Sequence, residues 1–411
     1  MSGGARHAFI DPTADTTEPA LPFAPASGPL AVRQLRLTEF RNYQRLRADL
    51  APGPVILVGD NGAGKTNLLE AVSFLAPGRG LRRSRLDEIQ RGVKANEPPA
   101  LSGWAVAAVL DVPGGRVAIG TGLETVPAAN GEGEAGRRVV RIDGRQASSQ
   151  LALGEHVVAI WLTPQLDRIW VDGPGNRRRF LDRMVAAFDP AHASSLAAYE
   201  QAMRQRARLL AEGRTDGHWF AAVEDTMARH GVALTVARLD LVARLDQAAR
   251  LGVGPFPRAS LALTGEVEGW VMEMAALDAE DRLRERLAAN RGLDGQAGAT
   301  VCGPHRADLA VRHLDRDIPA AQGSTGEQKA VLVAIVLAHA RLATLARGRP
   351  PLLLLDEIAA HLDSRKRAAL FEEILALGTQ AWMTGTDTSA FAPLAGQAQF
   401  LRIEAGDIVP H

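Results

Sequence analysis

The segment Gly59-Asp60-Asn61-Gly62-Ala63-Gly64-Lys65-Thr66 spaces glycines, a lysine and a hydroxyl in the way that binding a phosphate requires. Glycines let the backbone curl until its N–H groups converge on phosphate oxygens, and a helix starting at the lysine adds the positive end of its dipole. Lys65 then reaches the β- and γ-phosphates, and the Thr66 hydroxyl turns to Mg²⁺. An apolar run, Val55–Val58, precedes the loop, and Leu68, Leu69, Val72 and Leu75 follow at helical spacing. That strand–loop–helix context is what the Walker A pattern needs. Far downstream, Leu352-Leu353-Leu354-Leu355 ends in Asp356-Glu357, a Walker B pattern. Asp356 joins the Mg²⁺ shell, and Glu357 orients or deprotonates an attacking water. The expected site for ATP and Mg²⁺ therefore comprises Gly59, Asp60, Asn61, Gly62, Ala63, Gly64, Lys65, Thr66 and the adjoining Asn67, with Asp356 and Glu357 opposite them.

Between these halves lies Gln322-Gly323-Ser324-Thr325-Gly326-Glu327-Gln328-Lys329, ahead of a long apolar helix. Ser324 is placed to cap that helix, and Gly326 leaves its amides open to a phosphate. In position and shape the segment resembles the signature of ABC-type ATPases. That resemblance implies that Ser324 and Gly326 close over ATP held by a second copy of the chain, giving an ATP-dependent homodimer with two composite sites. Ala359-Ala360-His361-Leu362-Asp363 resembles the D-loop, which places Asp363 across the dimer. Gln165, in Thr-Pro-Gln after an apolar strand, stands where the Q-loop glutamine joins the Mg²⁺ shell. Thr384-Gly385-Thr386-Asp387 occupies the place of the switch histidine, leaving Thr384 or Thr386 as the γ-phosphate sensor.

The elements that must hold these residues follow from periodicity. Strands are expected from Leu30 to Phe40 and over 157–162, and alternation from Trp104 to Ile119 with turns at Pro113-Gly114-Gly115 and Asp143-Gly144 marks antiparallel hairpins. The Gly- and Glu-rich stretch 124–136 reads as a loop. From about 180 to 290 the apolar period becomes helical, cut by Gly and Pro near Gly213 and Gly252–Pro257. After 300 the pattern alternates strand and helix again. The expected fold class is α/β: an ABC-type P-loop ATPase head, with a mixed sheet, flanking helices and an antiparallel β part, interrupted by a helical second lobe. Its expected parts are a disordered tail at 1–29, a split ATPase domain at 30–180 and 300–411, and a helical lobe, or short arm, at 181–299.

Bulk composition narrows the partners. The chain has 411 residues, 46% of them hydrophobic, and a formal net charge of zero. Patches of charge matter more than the sum for nucleic-acid binding. Lysine occurs only at Lys65, Lys94, Lys329 and Lys366, so arginine carries almost all the positive charge. A single cysteine, Cys302, excludes an intrachain disulfide framework and reads as a buried, inert thiol in a reducing cytoplasm. The apolar stretch 330–346 is too short to span a bilayer, and no signal pattern opens the chain, so a soluble cytoplasmic protein with no membrane partner is expected.

Several further motifs, in order along the chain, resemble the RecF family of SMC-like repair ATPases. Leu37-Thr38-Glu39-Phe40-Arg41-Asn42-Tyr43 resembles its opening strand, and Leu68-Leu69-Glu70-Ala71 and Gly78-Arg79-Gly80-Leu81-Arg82 continue it. Gly173-Pro174-Gly175-Asn176-Arg177-Arg178-Arg179-Phe180-Leu181-Asp182 and Gly303-Pro304-His305-Arg306-Ala307-Asp308-Leu309 resemble two later family segments. Glu327 departs from the family, where Gln is common, and the N-terminal tail is extra. Asn67, the long gap between the Walker motifs and the altered signature separate the chain from a transporter ATPase subunit. A long-armed SMC or break-repair ATPase would need a longer, unbroken insertion and a Cys-x-x-Cys hook. The resemblance implies a slow ATPase acting as a clamp on duplex DNA at single-strand gap junctions, working with RecR and RecO to load RecA. Arg82, Arg83, Arg85, Arg177, Arg178 and Arg179 are the candidate DNA contacts. Phosphate contacts of this kind bind DNA without reading its sequence.

Overall fold

In the computed structural model, residues 29–92, 103–127, 134–213 and 216–409 are described, so the expected tail lies outside them apart from Pro29. In chain order the strands are β1 (Ala31–Phe40), β2 (Tyr43–Asp49), β3 (Val55–Val58), β4 (Ala105–Val112), β5 (Gly115–Pro127), β6 (Glu134–Ile142), β7 (Arg145–Gln146), β8 (Ala159–Leu162), β9 (Ala259–Thr264), β10 (Asp308–His313), β11 (Ile318–Pro319), β12 (Leu352–Leu355), β13 (Ala381–Gly385), β14 (Gln399–Glu404) and β15 (Asp407–Val409). The helices are α1 (Lys65–Ser73), α2 (Leu153–His156), α3 (Pro174–Val185), α4 (His192–Ala211), α5 (Gly217–Leu251), α6 (Glu266–Glu273), α7 (Ala276–Ala289), α8 (Arg291–Ala297), α9 (Thr325–Arg347) and α10 (Ser364–Leu377).

The chain divides into two compact units, one made of 1–164 with 343–411 and the other of 165–342. The sequence reading placed the helical lobe at 181–299. The second unit is wider and takes in all of α3, which crosses residue 181, and β10, which packs on it.

Two six-stranded sheets build the first unit. One is mixed, in the order β15-β14-β3-β13-β12-β8: β14, β3, β13, β12 and the edge strand β8 run parallel, and β15 is antiparallel at the other edge. Val55–Val58 and Leu352–Leu355 are buried throughout, as parallel strands covered on both faces must be. The other sheet is antiparallel, in the order β2-β1-β4-β5-β6-β7. Its β6–β7 turn puts Asp143 at φ 47° and Gly144 at φ 74°, the two positive dihedrals a tight hairpin needs. Of the stretch expected as a loop at 124–136, the described residues are strand, since β5 runs to Pro127 and β6 starts at Glu134, and 128–133 lie outside the described residues. Gln380, at the entry to β13, ties the two sheets together. Its Nε2 donates to Val32 O at 3.0 Å and Ala51 O at 2.8 Å, and its Oε1 accepts from Val32 N at 2.8 Å.

The second unit packs α4 against α5 and surrounds Tyr199, Met227, Val232, Leu283, Leu287 and Cys302 with a separate core. Burial pushes the Cys302 thiol up to about 12, well away from thiolate chemistry. The range expected as a helical lobe also holds a strand, at Ala259–Thr264. These residues form β9, antiparallel to β10 in a three-stranded sheet with β11. Ala259, Leu261 and Leu263 are buried while Ala262 and Thr264 face out, a period of two inside a region otherwise of helical period.

Among the described residues α9 is long and apolar enough to cross a membrane by length and composition, being longer than the stretch at 330–346. Of its most apolar window, 72% is buried inside the protein, so its apolar surface is already covered. Its N-terminal part belongs to the second unit and its last residues to the first.

Candidate nucleotide site

The phosphate loop joins β3 to α1 within the first unit. Gly59 has φ 153°, Gly62 85° and Gly64 119°, and no side chain caps α1, nor does any acid stand in its first turn. The first amides of α1 are therefore open to an anion. Gly64 is required for two reasons. Its φ lies in the left-handed region, and a Cβ there would meet Asn42 Nδ2 at 2.5 Å and the Tyr43 hydroxyl at 2.8 Å.

Those contacts belong to a clamp around the loop. Asn42 Nδ2 donates to Ala63 O at 3.1 Å, and the Tyr43 hydroxyl donates to Gly64 O at 2.9 Å. From the β14–β15 turn, the Gly406 amide donates to Ala63 O at 3.2 Å. Burial, with the Asp407 carboxylate adding to it, pushes the Tyr43 phenol above its usual range, so it stays a neutral donor. Asn67 Nδ2 donates to Asn42 Oδ1 at 2.7 Å, which places this residue against the clamp.

Lys65 Nζ donates to Gly59 O at 2.7 Å and Asp60 O at 2.8 Å. The ammonium thus lies inside the curl of the loop, 5% exposed. Burial lowers its pKa, opposed by the negative charges of Glu357, Asp356 and Asp60.

Asp356, at the end of β12, brings the Walker B strand to the loop. Its Oδ1 accepts the Thr66 hydroxyl at 3.0 Å and the Thr384 hydroxyl at 2.8 Å. A hydroxyl and a carboxylate oxygen converging beside an open helix terminus form a hard-oxygen donor set suited to Mg²⁺ carried by a phosphate. Glu357 is half-buried and in the left-handed conformation, φ 51° and ψ 29°. Its amide donates to the Thr384 hydroxyl at 2.8 Å. Thr384 is fully buried and uses its one proton on Asp356 and a lone pair on Glu357, while Thr386 is exposed. Of the two threonines weighed as a phosphate sensor, only Thr386 is free of this network in the conformation seen. Asp363 caps α10, its Oδ1 accepting the Lys366 amide at 2.8 Å, and Lys366 Nζ lies 3.0 Å from its Oδ2.

In the second unit, Gln165 is exposed in a short 3₁₀ turn after β8. The turn beyond it grips the start of α9. Trp170 Nε1 donates to Gln328 O at 3.0 Å, and Lys329 Nζ donates to Asp167 at 3.2 Å. Gln328 Nε2 in turn donates to Gly323 O at 2.8 Å. Ser324 and Glu327 form a capping box. The Ser324 amide and hydroxyl both donate to Glu327 Oε2, at 2.8 and 2.9 Å, and the Glu327 amide reaches back to the hydroxyl at 3.4 Å. Those bonds from Ser324, with the Arg316 guanidinium alongside, hold the Glu327 carboxyl down to about 2. Gly326 is open, with nothing within 4 Å of a notional Cβ.

The six candidate arginines differ in what they already hold. Arg177 forks onto Asp308 at 2.6 and 3.0 Å and is 12% exposed. Arg178 donates to Ala307 O at 2.6 Å. Arg179 is exposed and reaches Asn176. Arg82 donates to Asn67 Oδ1 at 2.6 Å and Glu70 Oε2 at 3.1 Å. Arg85 forks onto Asp87 at 3.1 and 2.8 Å, and Arg83 is exposed with φ 58°. Sequence reasoning did not single out Glu70, a fully buried carboxylate shared by Arg82 and Arg41, which binds it at 2.8 Å with both Nε and Nη2. An acid inside an otherwise apolar helix was the available signal.

Residues 31–392 match the family described as RecF/RecN/SMC N terminal domain. Over 383 residues the chain is 50% identical to the DNA replication and repair protein RecF of Mesorhizobium japonicum, covering 92% of this chain and 97% of that one. It is 47% identical over 384 residues to the protein of the same name from Brucella suis biovar 1, covering 92% and 96%. Its fold superposes on the solved recombination mediator protein RecF-ATPrS of the RecFOR pathway with a TM-score of 0.78 at 20% identity, covering 94% of this chain and 99% of that one. A second solved structure, RecF-ATP, gives 0.76 at 21% identity. The two-sheet first unit has the fold of an ABC-type ATPase head.

Proposed function

The chain belongs to the RecF family of DNA replication and repair proteins, and from that premise we propose that it is an ATP-dependent homodimeric clamp on DNA. The observation that carries this reading is the meeting of Thr66, Asp356 and Thr384 beside the open start of α1. Lys65 and the loop amides bind the β- and γ-phosphates of ATP. Thr66 and Asp356 are the residues that would hold Mg²⁺. When bound, that ion screens the phosphate charge and orients the transferring group. Glu357 positions and deprotonates the attacking water. Ser324 and Gly326 of a second copy close over the γ-phosphate, and Asp363 lies at the same junction. ATP thus joins two copies, and hydrolysis releases them.

The two solved relatives are named with ATP or ATPrS and with the RecFOR pathway. That supports ATP as ligand and proteins of the RecO and RecR kinds as partners for this chain; loading of RecA at gapped duplex DNA is our extension of that reading. Arg82, Arg83, Arg85 and Arg179 are the arginines proposed to meet DNA phosphates. Arg177 and Arg178 act by holding α3 to the 307–308 segment.

The test combines two measurements. ATP turnover should rise on adding gapped duplex DNA, with no membrane component present. Glu357→Gln with ATP should run as a dimer in size-exclusion chromatography with light scattering. A monomer under those conditions removes the composite site.

A further inference from the structure

Thr384 sits at the end of β13, next to β12 in parallel register, with Met383 opposite Leu355. That register sets its side chain beside the residues that follow Leu355. The hydroxyl donates to Asp356 Oδ1 at 2.8 Å and accepts the Glu357 amide at 2.8 Å. It is completely buried. One small group thereby touches both carboxylate residues of the Walker B pair, one through its side chain and the other through its backbone.

The second bond matters because of the conformation it holds. Glu357 carries a side chain in the left-handed region, at φ 51°. A non-glycine residue there is strained and persists only where its surroundings over-determine it. The Thr384 hydroxyl supplies part of that constraint. The first bond has a complementary role. Thr66 and Thr384 share Asp356 Oδ1, but the Thr66 hydroxyl is the one placed to leave for a metal ion, whereas Thr384 is buried behind the carboxylate.

Resting on the ATPase reading above, we propose that Thr384 is a positioning residue for the reaction: it fixes the Asp356 carboxylate for the metal and locks the turn at Glu357, and it is not the γ-phosphate sensor. A sensor of the γ-phosphate must donate a proton to its oxygens, and a hydroxyl has one proton to give. Thr384 has its proton on Asp356 and a lone pair on Glu357.

Thr384→Val keeps the shape and removes both bonds, and Thr384→Ser keeps the hydroxyl. In the nucleotide- and metal-free protein, amide exchange across Asp356–Ala360 should accelerate in the valine variant and stay as in the wild type in the serine variant. With ATP, the valine variant should lose about tenfold or more in kcat and need more Mg²⁺ for half-maximal turnover, with serine restoring both. ATP affinity without Mg²⁺ should be unchanged. Unaltered exchange and kcat in the valine variant overturn the proposal. So does a loss of kcat that serine fails to rescue, which would mark packing rather than hydrogen bonding. A wild-type protein that exchanges as expected, with valine accelerated, but neither binds nor hydrolyses ATP overturns the functional reading and the catalytic role, and leaves Thr384 as a structural lock alone.

Discussion

Asn67 hands a hydrogen bond from its Nδ2 to Oδ1 of Asn42 at 2.7 Å, while its own Oδ1 accepts from Arg82 at 2.6 Å. The first turn of α1 is thus joined on one side to the β1–β2 turn that clamps the phosphate loop, and on the other to the 78–85 segment. The same Arg82 guanidinium reaches Glu70, whose buried carboxylate also takes both Nε and Nη2 of Arg41. Replacing Asn67 by Ala should leave the fold intact but loosen the loop. Nucleotide affinity should fall by about tenfold, the effect of roughly one lost hydrogen bond. Fluorescent-nucleotide titration decides it, and an unchanged dissociation constant would show that the clamp holds without Asn67.

Glu70 predicts a larger effect of a different kind. Its side chain is fully buried and paired with two arginines. Its loss leaves the partly exposed guanidiniums of Arg41 and Arg82 without their carboxylate and costs about 1–3 kcal/mol. Glu70→Ala should therefore lower the thermal midpoint sharply, whereas Glu124→Ala, at an exposed position on β5, should not. Differential scanning calorimetry of the two variants separates the outcomes.

The arginines sort by their existing partners. Arg83→Ala and Arg85→Ala should each reduce the slope of log affinity against log salt for duplex DNA by up to about 0.9 per lost phosphate contact. Arg177→Ala should leave that slope unaltered and lower stability instead, because its guanidinium is spent on Asp308 and on the carbonyls of Ile169, Trp170 and Asp172. A changed slope for Arg177→Ala would return it to the DNA surface.

How much of this was legible in the residues depends on range. The phosphate loop, α10 and the Ser324–Glu327 capping box are local, and their glycine, cap and period signals stand in the sequence itself. Glu327, which looked like a departure from its family, is what makes the box reciprocal. The partners of arginines are a different matter. Arg177 meets Asp308 across a long stretch of chain, and neither residue type nor spacing reports that bond. The strand β9 was hidden because its six residues sit between helices, and a short alternating run of Ala, Leu, Ser and Thr also fits a helical face. Thr384 was singled out for its place in the chain, but its function depends on which strand lies beside β13, and only the sheet order supplies that.

His339 gives a pH prediction whose sign follows from burial. It lies inside α9 with its Nε2 hydrogen-bonded to Met184 O at 3.0 Å and its ring edge-on to Phe188 at 5.3 Å. Loss of water around the charged form lowers its pKa to about 4, outweighing the raising effect of the Met184 carbonyl, with Arg183 nearby also lowering it. The folded value is below the unfolded one of about 6.5. Between those two values the unfolded chain binds a proton that the folded chain refuses. Stability is therefore full above about pH 6.5 and falls as the pH drops towards 4, by at most about 3 kcal/mol from this group. Denaturant midpoints at pH 7.5, 6 and 5 should decline in the wild type. His339→Gln, which keeps a donor but does not titrate, should decline less over the same range. Parallel curves for the two proteins would mean that His339 is not the group that senses the acid.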